Sequence, residues 1–543
     1  MTEDLLDPRD LALAVLDLNA LRALEQRAAA QYPPHTLMAR AGETAARFLG
    51  ARLVRTRGRR PPAVFIAAGP GNNGGDALVT ATALLAARVR VLVCLPQAAL
   101  PDDARWALAQ AREAGVPIVE SFDDAAREAL ASADWAVDGM FGAGLARPLD
   151  GVFATLAAAL SARTASGGPV LALDLPSGLA SDNGLVISGA HGGAASKQSS
   201  ARDTAVRATD TLAFLALKPG LYTGVGRDLS GRLWLAPLGV DDGSPSDAPA
   251  AVAARAHCVV NAPALFMPSI PRRDFAANKG TFGSLAVVGG DTGMCGAPIL
   301  ASRAALFAGA GKVHVALLGA GGPAYDPPHP ELMLHEIDHL PLDEMSALAI
   351  GPGFGRSDRV VQRLDQILRL QVPKVVDADA LNLLSTHPAL ADALRAGGAA
   401  TVITPHPLEA ARLLDTDVKS IEGDRLAAVR SLSERFGCVA VLKGSGTLIA
   451  APSQALAINP TGDAGLATGG TGDVLCGLIG AFLAQHVGAR EAALAAVFLH
   501  GRAAETLGDA GHGPAGLTAS ELAPAVRSLL NQLLRSHAVT RAN

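Results

Sequence analysis

Short apolar runs almost free of charge alternate with runs of helical period along nearly the whole chain. A layered α/β fold with mostly parallel strands has this signature, because helical crossovers cover the strands on both faces. In the first half, strands are expected at Ala63–Ala68, Val89–Leu95, Trp135–Asp138, Val170–Asp174 and Thr211–Leu217, with helices over Pro101–Ala114 and Gly151–Ala162. A second series follows at Ser284–Gly289, Lys312–Leu317, Ala347–Ile350, Lys374–Asp377, Ala400–Thr404 and Cys438–Leu442. It closes with helical runs at Val474–Gln485, Glu491–Leu507 and Ala519–Leu534. The composition changes at Val240–Ala250 (VDDGSPSDAPA), which predicts a linker. The expected organisation is a domain over 1–240, a linker over 241–255 and a second domain over 256–543. Ser188–Thr204 is small and polar and reads as a surface insertion.

Composition removes several classes. With 49% hydrophobic and 18% charged residues, each half can bury its own core. A net charge of −5 leaves no basic footprint for nucleic acid or an anionic membrane. The start, MTEDLLDPRD, carries four acids and one Arg, unlike a secretory signal. The longest apolar run, Val474–Ala489, contains Gln485 and His486 and falls short of the ~20 residues a bilayer needs. The five cysteines (94, 258, 295, 438 and 476) form no CxxC pair, so reduced thiols are expected in place of disulfides or zinc. A soluble, cytoplasmic protein is the expectation.

In open parallel sheets, ligands gather at the carboxyl ends of the strands. Ala63–Ala68 runs directly into GPGNNGGD (69–76), where glycines permit close approach of a phosphate and a helix start supplies donors. The spacing of Gly69, Gly71 and Gly74 also fits a dinucleotide fingerprint. The next strand, however, ends VCLPQ without the acid that grips a ribose, which disfavours an ordinary dehydrogenase. Asp138, in DGMFGAGLARP, and Asp174, in DLPSG, each end a buried strand. That is costly for a carboxylate unless it is paired, ligated or catalytic. With Asp76 they form a carboxylate cluster at one sheet edge.

In the second half, TGGTGD (468–473) opens a long apolar helix, so Asp473 sits in an anion hole. There a carboxylate is a natural base for an attacking hydroxyl. LKGSGT (442–447) ends a strand and begins a hairpin, with a cation suited to a nucleotide phosphate. Only seven Lys stand against 39 Arg, and Lys218 (KPG), Lys279 (NKG) and Lys443 (LKGSGT) all lie within two residues of a glycine. His406 follows a strand in a proline-clamped turn. Asp377 and Asp379 are read as indirect Mg²⁺ contacts or helix caps, with capping favoured for Asp379, and Glu409 as a first-turn charge or metal-water contact.

Together the motifs resemble those of the bifunctional NAD(P)H-hydrate repair family, in which an epimerase is fused to an ADP-dependent dehydratase. LMARAG (37–42), GNNGGD (71–76), DGMFGAGLARP (138–148), DLPSG (174–178) and KPG (218–220) resemble the epimerase, which implies a Rossmann-like three-layer domain. KGTFGSLAVVGG (279–290), GPGFG (351–355), DADALNLL (377–384), TPHP (404–407), LKGSGT and GLATGGTGDVL (465–475) resemble the dehydratase, which implies a ribokinase-like α/β domain. The implied substrates are NADHX and NADPHX, hydrated across the nicotinamide 5,6 bond, with Mg²⁺ and ADP as co-substrate.

Carried over motif by motif, the resemblance gives Asn72, Asn73, Gly74, Gly75, Asp76, Gly142, Ala143, Gly144, Leu145, Ala146, Arg147 and Pro148 contacts to the hydrate. Asn73, Asp138 and Ser177 would hold K⁺, and Asp174 would be the acid–base group of epimerisation. In the dehydratase, Ala297, Gly353 and His406 would contact the S epimer. Lys443, Gly444, Ser445, Gly446, Thr447 and Gly472 would bind the nucleotide, and Asp473 would face the substrate hydroxyl. Two positions depart from the family pattern: Ala77 replaces a glycine after GNNGGD, and Leu408 one after TPHP. A homo-oligomer is expected. The rival reading is a ribokinase-like small-molecule kinase beside a non-catalytic binding module.

Overall fold

The computed structural model describes residues 5–53, 61–97, 100–188, 205–240 and 257–542, with side chains to 537. The 189–204 part of the expected insertion and the whole 241–255 linker lie outside the described residues. What is described divides into two compact units on either side of that linker, with Arg9–Ala12 grouping with the second.

Among the described residues, the first unit holds seven parallel strands: β1 (Ala63–Ala68), β2 (Arg90–Cys94), β3 (Ile118–Val119), β4 (Trp135–Gly139), β5 (Val170–Leu173), β6 (Asp210–Phe214) and β7 (Arg232–Ala236). Their order is β3-β2-β1-β4-β5-β6-β7. The direction of winding reverses between β1 and β4, the place where such sheets open a crevice. Alternation along β1 divides the core. Val64, Ile66 and Ala68 belong to the apolar cluster with Leu78 and Ala81 of the helix Asn72–Ala86, while Phe65 and Ala67 join Leu156 and Leu160 of Gly151–Ala165. Those two helices therefore cover opposite faces of a three-layer sandwich.

The second unit holds ten strands among the described residues: β8 (Cys258–Val260), β9 (Ser284–Gly289), β10 (Lys312–Leu317), β11 (Met333–Glu336), β12 (Ala347–Ile350), β13 (Lys374–Val376), β14 (Thr401–Ile403), β15 (Val439–Leu442), β16 (Leu448–Ala450) and β17 (Leu456–Ile458). Their order is β11-β10-β9-β12-β13-β14-β15-β16-β17-β8, parallel except at β15–β16 and β16–β17. The LKGSGT segment is thus a hairpin, and the reversal of order falls between β9 and β12. No helix among the described residues is long and apolar enough to cross a membrane.

The expected strands are present, and the differences lie at their ends. Val170–Asp174 stops at Leu173 because Asp174 turns left-handed, with φ +68°. Thr211–Leu217 stops at Phe214, where Leu215 does the same at φ +63°. β3, β16 and β17 have two or three residues each, too few to display an alternation.

Candidate active sites

The first site forms at the β1/β4 reversal. Gly69 follows β1 so tightly that a Cβ would overlap the Met140 carbonyl, and a Cβ on Gly74 would overlap the Gly69 carbonyl. Only glycine lets the GNNGGD loop close against the end of β4. The chain then enters the helix Asn72–Ala86, with Asn73 buried and Asp76 half-buried in its first turns. Ala77, the departure from the family glycine, is buried there, and its methyl is what a Cβ on Gly139 would meet.

Asp138 ends β4 fully buried, and every donor it needs is local. Its Oδ1 accepts from Ser177 Oγ at 2.6 Å and Met140 N at 3.2 Å, and its Oδ2 from Ser177 N at 2.8 Å. Ser177 Oγ also accepts from Phe141 N at 2.9 Å. This ties the DLPSG turn to the DGMFG turn. Burial raises the Asp138 carboxyl to about 6, with the Ser177 bonds working against the rise. Asn73 donates to the Leu173 carbonyl at 3.1 Å, yet its buried Oδ1 has no hydrogen-bond partner among the described residues. A buried amide oxygen left without a donor is chemically suited to a weakly hydrated monovalent cation such as K⁺.

Asp174 is the most constrained carboxylate of this unit. Its Oδ1 pairs with the buried Lys218 ammonium and accepts from Phe214 N at 3.3 Å, and its Oδ2 accepts from Ala143 N at 3.1 Å. Lys218 also donates to the Phe214 carbonyl at 2.9 Å. A Cβ on Gly142 would stand 3.0 Å from Asp174 Oδ2, so this loop lies directly on the carboxylate. Gly144, Ala146 and Arg147 are exposed beyond it, with Leu145 and Pro148 half-buried. Asp76 is held well above the usual carboxylate range, first by burial and then by the charge of Asp174. The clustering of Asp76, Asp138 and Asp174 read from the sequence therefore resolves into three environments. Lys218, two residues before Gly220, is the buried cation paired with Asp174.

The second site forms where β12, β13, β14 and β15 end beside the helix Thr471–Ala484. Asp377, after β13, takes the Lys443 ammonium at 2.7 Å, and Glu409 Oε2 stands 4.0 Å from the same nitrogen. Burial works against the Lys443 charge, but Asp377 and Glu409 outweigh it and hold the ammonium above its ordinary range. Burial pushes Glu409 up to about 7, opposed by Lys443. Glu409 and His406 form a reciprocal cap. His406 N donates to Glu409 Oε2 at 2.9 Å, and His406 Nδ1 accepts from Leu408 N at 3.1 Å and Glu409 N at 3.4 Å. With Nδ1 accepting, the ring proton sits on Nε2, 3.4 Å from Glu409 Oε1. Burial and then Lys443 lower the His406 pKa, keeping the ring neutral. The Leu408 side chain stays exposed while its amide fixes His406.

Asp379 does not cap its helix, contrary to the sequence reading. The helix Ala378–Thr386 has Asp377 at its cap position without a side-chain cap bond, and Asp379 Oδ2 accepts from Gly355 N at 3.1 Å. Asp377 is committed to Lys443 and Asp379 to the GPGFG loop. Gly353 belongs to that loop at φ +58°, its carbonyl accepting from Asp291 N at 2.8 Å. A Cβ there would press on Met294, which leads into the helix Gly296–Phe307 that carries Ala297. Gly353 thus follows β12, and the helix carrying Ala297 follows β9, the two strands of the reversal.

Gly470 turns left-handed at φ +90° to start Thr471–Ala484, and Thr471 Oγ1 is spent on the Leu466 and Thr468 carbonyls. Gly472 lies over the ion pair, where a Cβ would be 3.7 Å from Lys443 Nζ. Asp473, half-buried in that first turn, is raised to about 6 by burial and then by Asp377, against the pull of Lys443. Two groups escaped sequence reading. Buried Arg425 donates to the Lys443 carbonyl at 3.1 Å and shapes the Gly444 turn, where Gly444 stands at φ +135° and Thr447 Oγ1 donates to the Gly444 carbonyl at 3.2 Å. Ser445 is exposed and Gly446 buried in the same hairpin. His500 is buried and shifted down to about 4 by that burial, and its Nε2 has no partner among the described residues.

These sites define a two-domain α/β enzyme: one domain presents a pinned carboxylate at a dinucleotide-type crevice, the other a glycine-lined helix start with a carboxylate and a compensated lysine. Family models agree. Residues 285–526 match NAD(P)H-hydrate dehydratase, and 34–220 match the YjeF-related protein N-terminus. The bifunctional NAD(P)H-hydrate repair enzyme Nnr of Coxiella burnetii is 36% identical over 511 residues, covering 92% of this chain and 95% of that protein. The ADP-dependent (S)-NAD(P)H-hydrate dehydratase of Neisseria meningitidis is 46% identical over 264 residues, 48% of this chain and 89% of that one. Among solved structures, an ADP/ATP-dependent NAD(P)H-hydrate dehydratase from Bacillus subtilis, co-crystallised with ATP/Mg²⁺, aligns at TM-score 0.43 and 30% identity over 49% of this chain and 94% of that one. The chain belongs to the bifunctional NAD(P)H-hydrate repair enzymes, an epimerase joined to an ADP-dependent dehydratase.

Proposed function

We propose that the first site interconverts the R and S epimers of NADHX and NADPHX, and that the second returns the S epimer to the reduced dinucleotide. The observation that carries this reading is the pairing in one chain of Asp174, fixed by Lys218 and two backbone amides, with Asp473, set at a helix start beside the Lys443–Asp377 pair.

In the epimerase, Asn72–Asp76 and Gly142–Pro148 border the hydrate. Asp174 relays the C6 hydroxyl proton to the ring nitrogen as the C6–N1 bond opens to an aldehyde, then returns it when the nitrogen closes on the opposite face of C6. Asn73 Oδ1, Asp138 and Ser177 Oγ would hold K⁺, which supplies fixed positive charge next to the hydrate.

In the dehydratase, Ala297, Gly353 and His406 border the hydrate, with His406 Nε2–H as donor. The LKGSGT hairpin and Gly472 carry ADP, and Mg²⁺ travels with its phosphates. Asp473 takes the C6 hydroxyl proton while the β-phosphoryl group passes to that oxygen, leaving AMP. Amides at the helix start face the charge that develops on the phosphoryl oxygens. The ring nitrogen lone pair then expels phosphate, and loss of the C5 proton restores the 5,6 double bond. A cytoplasmic homo-oligomer is the proposed setting, and sedimentation of the purified chain reads the assembly.

The test uses both NADHX epimers with K⁺, Mg²⁺ and either ADP or ATP, following recovery of the reduced-nicotinamide absorbance. Recovery should be complete, faster with ADP, and should stall for Asp174→Asn once the S epimer is consumed, after subtraction of spontaneous epimerisation. A phosphate ester that accumulates without recovery would sink the reading in favour of a kinase.

A further inference from the structure

His35 stands just before the helix Thr36–Leu53 at φ +67°, a left-handed conformation uncommon outside glycine. Its imidazole lies flat on the Trp106 indole, with centroids 4.7 Å apart and planes 2° from parallel. Its Nδ1 meets Asp103 Oδ1 at 2.6 Å. Trp106 packs against the apolar core of its unit, whereas 32% of the His35 side chain is exposed, so the imidazole is the outer layer of the stack.

This stack adjoins the epimerase loop. A Cβ on Gly75 would come 3.1 Å from Ala104 Cα, in the first turn of the helix Asp102–Glu113 that carries both Asp103 and Trp106. Asp103 is close enough for its charge to oppose ionisation of Asp76. None of the chemistry at C6 uses these three side chains. A flat two-ring stack, backed by the apolar core at Trp106 and part-exposed at His35, suits a planar ligand, and aromatic platforms hold nucleobases by stacking.

The hydrated dinucleotide offers one planar group remote from C6, its adenine. Asp103 spends Oδ1 on His35 and leaves Oδ2 for a second donor. Adenine presents a 6-amino group there, while hypoxanthine would present a carbonyl that a carboxylate repels. We propose that His35 and Trp106 form the adenine subsite of the epimerase domain, with Asp103 fixing the imidazole and accepting from the purine 6-amino group. This rests on the reading that the domain takes NAD(P)HX.

The experiment uses the full chain without ADP, so that the dehydratase is silent, and follows R/S interconversion chromatographically. Three substrates are compared: NADHX, the hydrate of reduced nicotinamide mononucleotide, and the hypoxanthine analogue of NADHX. His35→Asn, chosen because Asn tolerates the left-handed backbone, should raise KM for NADHX about tenfold with kcat little changed. It should leave the mononucleotide hydrate unaffected. Trp106→Phe, which keeps a ring under the imidazole, should stay near wild type, and Asp103→Asn should narrow the preference for adenine over hypoxanthine. Equal losses on dinucleotide and mononucleotide hydrates would reduce the stack to a structural prop and overturn the proposal, as would an unchanged KM for NADHX. Failure of the underlying reading looks different, because the wild-type chain would then epimerise neither hydrate.

Discussion

At the residue scale, the two proposed bases are held in opposite ways. Asp174 is fixed by a buried cation, so the pair is expected to act as a unit. Asp174→Asn and Lys218→Met should each abolish epimerisation, and each should destabilise the first unit by about 3 kcal/mol, because either change leaves the other charge of the buried pair uncompensated. Denaturant unfolding of both variants checks this, and a Lys218→Met chain that is fully stable and active would refute the assignment. Asp473 is instead raised to about 6, chiefly by burial. Acting as a base, it must be ionised. Dehydration should therefore fall as pH drops through about 6, by roughly tenfold per unit below it, with nucleotide binding less affected. A flat rate from pH 7 to 5 would remove Asp473 from that role.

At the element scale, buried His500 makes the packing of the helix Ala489–Asp509 sensitive to acid. Its folded pKa of about 4 lies below the ordinary value of about 6.5, so the unfolded chain binds the proton more readily between those limits. The stability that His500 contributes is present above pH 6.5 and drains away as pH falls toward 4, by up to about 3 kcal/mol. His500→Gln should flatten that loss in urea titrations at pH 7 and pH 5, and an unchanged difference would contradict it. This contribution was not legible in the sequence, and the reason is physical. Strand ends announce themselves locally: an apolar run that ends directly on a carboxylate, as at Asp138, Asp174 and Asp377. His500 lies mid-helix among apolar neighbours, where nothing nearby in sequence shows that it is buried without a partner for Nε2. Lys218 and Asp174 are 44 positions apart and meet only because β5 and β6 are adjacent. Scarcity of lysine singled out Lys218 but could not name its partner. Arg425 had no contrast at all among 39 arginines, although it shapes the LKGSGT turn. His35 and Trp106 are 71 positions apart and likewise join only through packing.

At the scale of the whole molecule, each half has its own sheet, its own order reversal and its own core. Every residue proposed for a given reaction lies within one unit, so each site is built by local packing of that unit alone. The fusion then works through chemistry: the dehydratase draws down one epimer while the epimerase replenishes it from the other. Stability should follow the same division. Calorimetry of the full chain is expected to show two transitions, and ADP with Mg²⁺ should move only one of them. At a hundredfold excess over its Kd, the nucleotide adds about 2.7 kcal/mol to the unit that binds it. The Lys443→Ala variant should lose that displacement while the other transition stays in place. A single transition that moves as a whole with ADP would mean that the two units unfold together, and would overturn the view of two separately stabilised sites.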